Sequence, residues 1–256
     1  MSRLAAVPLV EIFHSVQGEG RFCGVPMAFL RVAGCPIRCR YCDTPHSYTA
    51  QPEFRLHLGS TTRGEANPAT AARAAELVRA SEGASPFGSA APRLLSITGG
   101  EPLLYPEFVR DVGRVLRPVG WRVHLETAAL DAQAFATCAA EIDHLSADYK
   151  LPETLPRGEH RQQHVGVIAA AAPHPCTIDV KVVLTADCGE TSFATALEDL
   201  APWRARLLLV LQPVTPFGSV REPLPPQRLA AAVAMARAAG FEVRVLPQAH
   251  KSLGVE

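Results

Sequence analysis

Cys35, Cys39 and Cys42 fall within eight consecutive residues, with three and then two residues between them. In a chain with seven cysteines the chance expectation of that spacing is roughly 0.005, so the group asks for a chemical explanation. Three neighbouring thiols cannot all pair with one another, and in a reducing compartment such a group reads as a metal or cluster site. An ordinary iron-sulfur cluster takes four thiolates. Only three are local here, which leaves one iron open to a small-molecule chelator, much as catalytic metal sites keep a vacant position. The competing reading is a structural zinc with Cys23 or His46 as the fourth ligand. Cys138, Cys176 and Cys188 share no such spacing and are expected to be buried as small apolar side chains.

A second candidate is Ser96-Ile97-Thr98-Gly99-Gly100-Glu101-Pro102, which follows an apolar run and precedes the helical pattern Glu107 to Leu116. Two glycines let the backbone approach a ligand closely, and Glu101 is placed to accept from an ammonium group. Taken alone, Gly-Gly-Glu-Pro is more often a plain turn.

These residues need a frame. From Pro92 onward, short apolar or β-branched runs alternate with helical patterns, the signature of βαβ units around a parallel sheet. The candidate strands are Met27 to Val32, Leu94 to Thr98, Arg122 to Glu126, His144 to Ala147, Thr177 to Leu184, Leu207 to Leu211 and Glu242 to Leu246. Asn67 and Pro68 read as the cap and first turn of a helix over Ala71 to Ala80. A further helix over Gln227 to Ala239 opens after Pro225 and Pro226 and stops at Gly240. Thr49 to Gly64 and Leu151 to Pro175 break the rhythm and are expected to be loop insertions in one domain spanning residues 1–256.

Composition narrows the partners. The chain has 256 residues, 48% of them hydrophobic and 20% charged, as in an ordinary globular protein. Basic and acidic residues balance at 25 each, so no basic field is available to hold a phosphate backbone, and nucleic acid is not expected as the main partner. No apolar run approaches the length of a membrane helix, and Pro8 and Glu11 interrupt the start, so neither a membrane span nor a secretory signal is expected and the cytoplasm is the expected location.

The three-cysteine loop, with Tyr41 just before its last cysteine and Gly-Gly-Glu-Pro downstream, resembles the radical S-adenosylmethionine (SAM) superfamily. Its flanks resemble one family within it, the 7-carboxy-7-deazaguanine synthases of queuosine and other 7-deazapurine biosynthesis. The matching strings are Glu11-Ile12-Phe13-His14-Ser15-Val16-Gln17-Gly18-Glu19-Gly20, Gly24-Val25-Pro26, Phe29-Leu30-Arg31, Cys42-Asp43-Thr44 and Gln248-Ala249-His250-Lys251.

The resemblance implies an α/β fold built as an incomplete, TIM-like barrel of parallel strands with outer helices. It implies a 4Fe-4S cluster on Cys35, Cys39 and Cys42, whose open iron takes the amine and carboxylate of SAM. An electron from the reduced cluster then breaks a carbon-sulfur bond to give a 5'-deoxyadenosyl radical. That radical takes the C6 hydrogen of 6-carboxy-5,6,7,8-tetrahydropterin, the ring contracts and ammonia leaves. SAM contacts are implied for Tyr41, Cys42, Asp43, Gly100, Glu101, Glu126, Ser146 and the run Gln212, Pro213, Val214 and Thr215. Substrate contacts are implied for Val16, Gln17, Gly18, Glu19, Arg31, Thr98, His250 and the terminal Glu256, with the Arg31 fork suited to a carboxylate. Thr44 is the implied ligand of a magnesium ion, and a homodimer and a flavodoxin-like electron donor are the implied partners. Ser146-Ala147-Asp148-Tyr149-Lys150 departs from the family's compact Ser-Pro-Lys pattern and leaves Lys150 without a role.

Two other functions use the same loop. A radical-generating activase would apply the cluster to a protein substrate and would not need Arg31, Gln17 and His250 for a pterin. A zinc-stabilised interaction module would need no cluster at all.

Overall fold

The computed structural model describes residues 6–88 and 92–254. The elements run β1 (Ala6–Val7), β2 (Leu9–Val16), β3 (Pro26–Val32), β4 (Glu53–Leu58), β5 (Thr61–Ala66), β6 (Ala69–Thr70), α1 (Ala71–Ser81), β7 (Leu94–Gly99), α2 (Pro106–Leu116), β8 (Arg122–Thr127), α3 (Ala132–Cys138), β9 (His144–Asp148), α4 (Arg161–Ala171), β10 (Thr177–Leu184), α5 (Glu190–Leu200), β11 (Leu207–Pro213), α6 (Pro226–Ala238), β12 (Val243–Val245) and α7 (Ala249–Leu253).

Ten strands form one sheet in the order β12-β11-β10-β9-β8-β7-β3-β2-β4-β5, and its two ends do not pair. The strands from β3 through β7 to β12 run parallel, and β2 runs antiparallel to β3. The architecture is an incomplete barrel with helices outside.

Side-chain alternation divides the two faces of the barrel strands. In β10, Ile178, Val180 and Val182 join the main core, while the alternate positions are Asp179, Lys181 and Val183. In β9 the core takes Leu145 and Ala147 and leaves His144, Ser146 and Asp148 on the other face. In β8 it takes Val123 and Leu125 and leaves His124 and Glu126. The helices supply the apolar partner layer: α2 buries Phe108, Val109, Val112 and Leu116, one stripe at helical spacing.

Three expectations are corrected. Thr49 to Gly64 is not a loop, because β4 and β5 form a hairpin on the sheet edge. Phe54 and Leu56 are buried in the core at period two while Arg55 and the β5 side chains stay outside, which hid the strand in a polar stretch. Leu151 to Pro175 contains α4, anchored by buried His164, Val167, Ile168 and Ala171, with the proline and glutamine residues confined to its flanks and exposed face. The cap of α1 is Thr70, whose hydroxyl accepts from Arg73 N at 3.3 Å. The Asn67 amide instead brackets Leu9, accepting from its N–H at 2.9 Å and donating to its carbonyl at 2.7 Å.

Candidate active site

At the C-terminal ends of the parallel strands lies a cavity of about 340 Å³. It is bordered by Val16, Gln17, Gly18, Glu19, Arg31, Thr98, Gly100, Glu126, Gln212 and His250, together with Cys35, Cys39, Tyr41, Cys42, Asp43 and Thr44. Ligands gather at this end of open α/β sheets because the loops there are free to vary.

The cysteine loop is pinned at several points. Arg40 N donates to Thr154 O at 3.0 Å, Cys42 N donates to Cys39 O at 3.1 Å, and Arg38 has a left-handed φ of 60° with its guanidinium over the Tyr48 ring. All three thiols are free of disulfides and border the cavity. Among the described residues no group of three or more His, Cys, Asp or Glu side chains is arranged to hold a single metal ion. Burial pushes the Cys39 thiol up, opposed by the nearby Lys150 ammonium. Lys150 Nζ also donates to Tyr41 Oη at 3.1 Å and pairs with Asp148. The lysine without an assigned role is therefore the cation beside the cysteine loop.

The glycine pair borders the cavity, but its tightest contacts are with backbone. A Cβ on Gly100 would lie 1.9 Å from the Gly34 carbonyl oxygen, and one on Gly99 2.4 Å from Val32 N and O. The pair lets β7 and the cysteine-loop entry touch, closed by Glu101 N donating to Gly34 O at 2.7 Å. The Glu101 side chain does not border the cavity. It is buried, with Oε1 accepting from Leu103 N at 2.8 Å and the Thr127 hydroxyl at 2.5 Å, and Oε2 accepting from Ala128 N at 2.7 Å. Its oxygens organise two strand ends, with Oε2 accepting a single hydrogen bond among the described residues.

A buried charge network fills the barrel interior. Lys181 pairs with Glu19, lies 3.2 Å from Asp148 and 3.5 Å from Glu126. Burial favours neutral carboxyls at all three, but the Lys181 and Lys150 ammoniums outweigh it at Asp148, and Lys181 outweighs it at Glu19. At Glu126 burial prevails over Lys181, and the neighbouring Glu19 and Asp148 add to it, so its carboxyl is raised. Two ammoniums thus face three carboxyls, of which Glu19 and Asp148 are held below the ordinary carboxyl value and Glu126 above it.

Glu19 also reaches the end of the chain: Oε1 accepts from Gln212 Nε2 at 3.1 Å and Gln248 Nε2 at 2.7 Å. Gln248 donates to Asp43 Oδ2 at 3.0 Å, and Lys251 Nζ lies 2.9 Å from the same oxygen. Burial alone would raise Asp43, but the His250 ring 3.8 Å away, the Lys251 ammonium and the Gln248 amide hold its carboxyl far below the usual range. His250 packs on Gly18, where a Cβ would sit 1.9 Å from the ring. Thr44 Oγ1 is 3.8 Å from Cys42 Sγ. The buried Gln212 Oε1 has no partner among the described residues.

Not every expected residue is brought to this cavity. Ser146 donates instead to Asp179 Oδ2 at 2.9 Å. Pro213, Val214 and Thr215 do not border it either, and Val214 packs against Val183 and Val220 in a small apolar cluster. Glu256 lies outside the described residues. Conversely, Lys181, Asp148 and Glu11 border the cavity without having been anticipated as site residues. The signal available for the first two was a charged residue alternating with apolar ones inside a strand.

Comparison with known proteins follows the same outline. Residues 30–147 match the family described as the Radical SAM superfamily. The chain is 32% identical over 249 residues to a 7-carboxy-7-deazaguanine synthase of Geobacter sulfurreducens, covering 96% of each. It is 31% identical to the enzyme of that name from Methanothermobacter thermautotrophicus, over 98% of this chain and 99% of that one. The crystal structure of QueE from Escherichia coli has a similar fold, with a TM-score of 0.59 and 20% identity over 96% of this chain and 95% of that one.

Proposed function

The chain belongs to the 7-carboxy-7-deazaguanine synthase family of radical SAM enzymes, and from that premise we propose how its own residues serve the conversion of 6-carboxy-5,6,7,8-tetrahydropterin to 7-carboxy-7-deazaguanine with loss of ammonia. The observation that carries the reading is one cavity bordered both by three free thiols and by Arg31.

The donor set fits the cofactors. Three thiols from Cys35, Cys39 and Cys42 leave one corner of a 4Fe-4S cluster for the amine and carboxylate of SAM. Gln212, with its unpartnered buried oxygen, offers an acceptor to a ligand donor. When bound, the cluster supplies the electron that splits SAM and so provides the 5'-deoxyadenosyl radical for hydrogen abstraction at the substrate C6.

The chain's residues hold and shield. Tyr41, Asp43, Gly100 and Glu126 face SAM in this proposal, with the Glu126 carboxyl offering hydrogen-bond acceptors to hydroxyl groups. Val16, Gln17, Gly18, Glu19, Thr98 and His250 hold the pterin, and Arg31 takes its carboxylate. Glu19 is kept ionised by Lys181, so it offers acceptors to ring N–H groups. Gln248 and Lys251 on Asp43 tie the segment around α7 to the cysteine loop beside the cavity. Thr44 is proposed as the protein ligand of a magnesium ion that orients the substrate carboxylate.

A homodimer, a flavodoxin-like reductant and a cytoplasmic location complete the proposal, the last supported by seven cysteines that form no disulfide. Among the described residues no helix is long and apolar enough to cross a membrane. The full-length likeness to synthases does not favour the activase or the zinc module.

The test is anaerobic reconstitution followed by incubation with SAM, dithionite and the carboxytetrahydropterin. About four irons per chain and a deazapurine product are expected. A protein that loads iron and cleaves SAM but forms no deazapurine would overturn the assignment.

A further inference from the structure

Glu11 is a buried carboxylate that holds two guanidiniums at once. Arg31 Nε donates to its Oε1 at 2.8 Å, and Arg55 Nη2 donates to its Oε2 at 2.8 Å. The sheet imposes this: Glu11 of β2 is the register partner of Arg31 on β3 and of Arg55 on β4, so the three side chains share one face. Side-chain exposure rises from 5% at Glu11 through 14% at Arg31 to 51% at Arg55, and all three border the cavity. The cations therefore run from its wall to its rim.

Charge counting decides what this can do. Arg31 with Glu11 is a neutral pair and gives no net attraction for an anion. Arg55 makes the triad singly positive. Each guanidinium has five N–H donors, and among the described residues each uses only one nitrogen, on Glu11. His57 and His46, 3.4 Å and 3.9 Å from the Glu11 oxygens, can only add positive charge.

On the reading of this cavity as a carboxytetrahydropterin site, we propose that Arg55 is a second guanidinium for the substrate carboxylate, and that Glu11 is the positioning residue that holds Arg31 and Arg55 ready for it. The hairpin that looked like an insertion is then part of substrate recognition. Substrate specificity at this wall is for an anion, and a pterin without the carboxylate makes no use of Arg55.

The experiment measures equilibrium binding of 6-carboxytetrahydropterin, and of tetrahydropterin lacking the carboxylate, to cluster-loaded enzyme with SAM. Arg55→Ala weakens the carboxylated ligand about tenfold, the size of one partly exposed charge-assisted contact, and moves the other ligand by less than about twofold. In turnover KM rises by the same factor while kcat stays within about twofold. Arg55→Lys recovers part of the loss, since it keeps the charge but not the fork. Glu11→Gln adds a net positive charge yet removes the anchor, so it weakens the carboxylated ligand. Tighter binding by that variant would overturn the positioning role. Equal loss for both ligands, or none, in Arg55→Ala would overturn the role of Arg55. If wild-type enzyme binds neither pterin, the reading of the site itself fails.

Discussion

Glu101 and Ala128 are joined by a 2.7 Å hydrogen bond in which the carboxylate at the end of β7 accepts the amide just past β8. With Leu103 N and the Thr127 hydroxyl on its other oxygen, Glu101 cements two neighbouring strand ends and so places Gly99 and Gly100. Glu101→Ala leaves buried donors unpaired and is expected to cost about 2–4 kcal/mol in denaturant unfolding of the cofactor-free chain. A variant with unchanged unfolding but weaker SAM binding would show instead that the carboxylate serves only the cofactor.

Cys39→Ala is expected to abolish cluster loading and turnover while far-UV circular dichroism keeps its α/β shape. Cys39 lies outside all three buried apolar clusters, so its loss removes a ligand and little apolar packing. Iron analysis after anaerobic reconstitution measures this. SAM cleavage at wild-type rate would contradict the ligand assignment.

Lys181 is the hub of the interior, and its removal leaves Glu19, Asp148 and Glu126 with Lys150 alone. Lys181→Met is expected to destabilise the chain by about 3–5 kcal/mol, the usual cost of stranding a buried partner. Adding Glu19→Gln removes one stranded charge and restores part of that stability. Additive losses in the double variant would mean that the pair is not coupled.

Seven of the ten strands in the large sheet were legible because long β-branched or apolar runs such as Thr177 to Leu184 are what a strand buried on both faces requires. The hairpin was not, because Phe54 and Leu56 are only two inward positions in a polar stretch. The cysteine loop announced itself by spacing and the wider site by resemblance to a family. Lys181 and Asp148 escaped because a single charge inside an apolar strand reads as core until the sheet curls and gives its inner face a polar lumen. Glu101 was placed by motif in the right region, but only hydrogen-bond accounting shows that its oxygens are already engaged.

Three buried histidines make folding costlier in acid. Burial lowers His124 to about 3, and His144 and His164 to about 4 each. His124 rests against Ser96 Oγ at 3.0 Å and His144 against Thr177 Oγ1 at 2.5 Å, each neutral in the folded chain. The unfolded chain takes up these protons below its ordinary histidine value near 6.5, so folding stability falls as pH drops from about 6.5 toward 4. Asp179 acts in the opposite sense. Burial raises its carboxyl to about 6, so its contribution is present at low pH and lost as pH rises through about 6. The raised Glu126 and Glu101 carboxyls act in the same sense as Asp179, and the lowered His14 acts with the other imidazoles, so the imidazole contribution is read by difference. Between pH 7 and 5 the urea midpoint of the wild-type chain should lose more, or gain less, than that of His124→Asn. Equal slopes in the two chains would show that this imidazole does not contribute to acid stability.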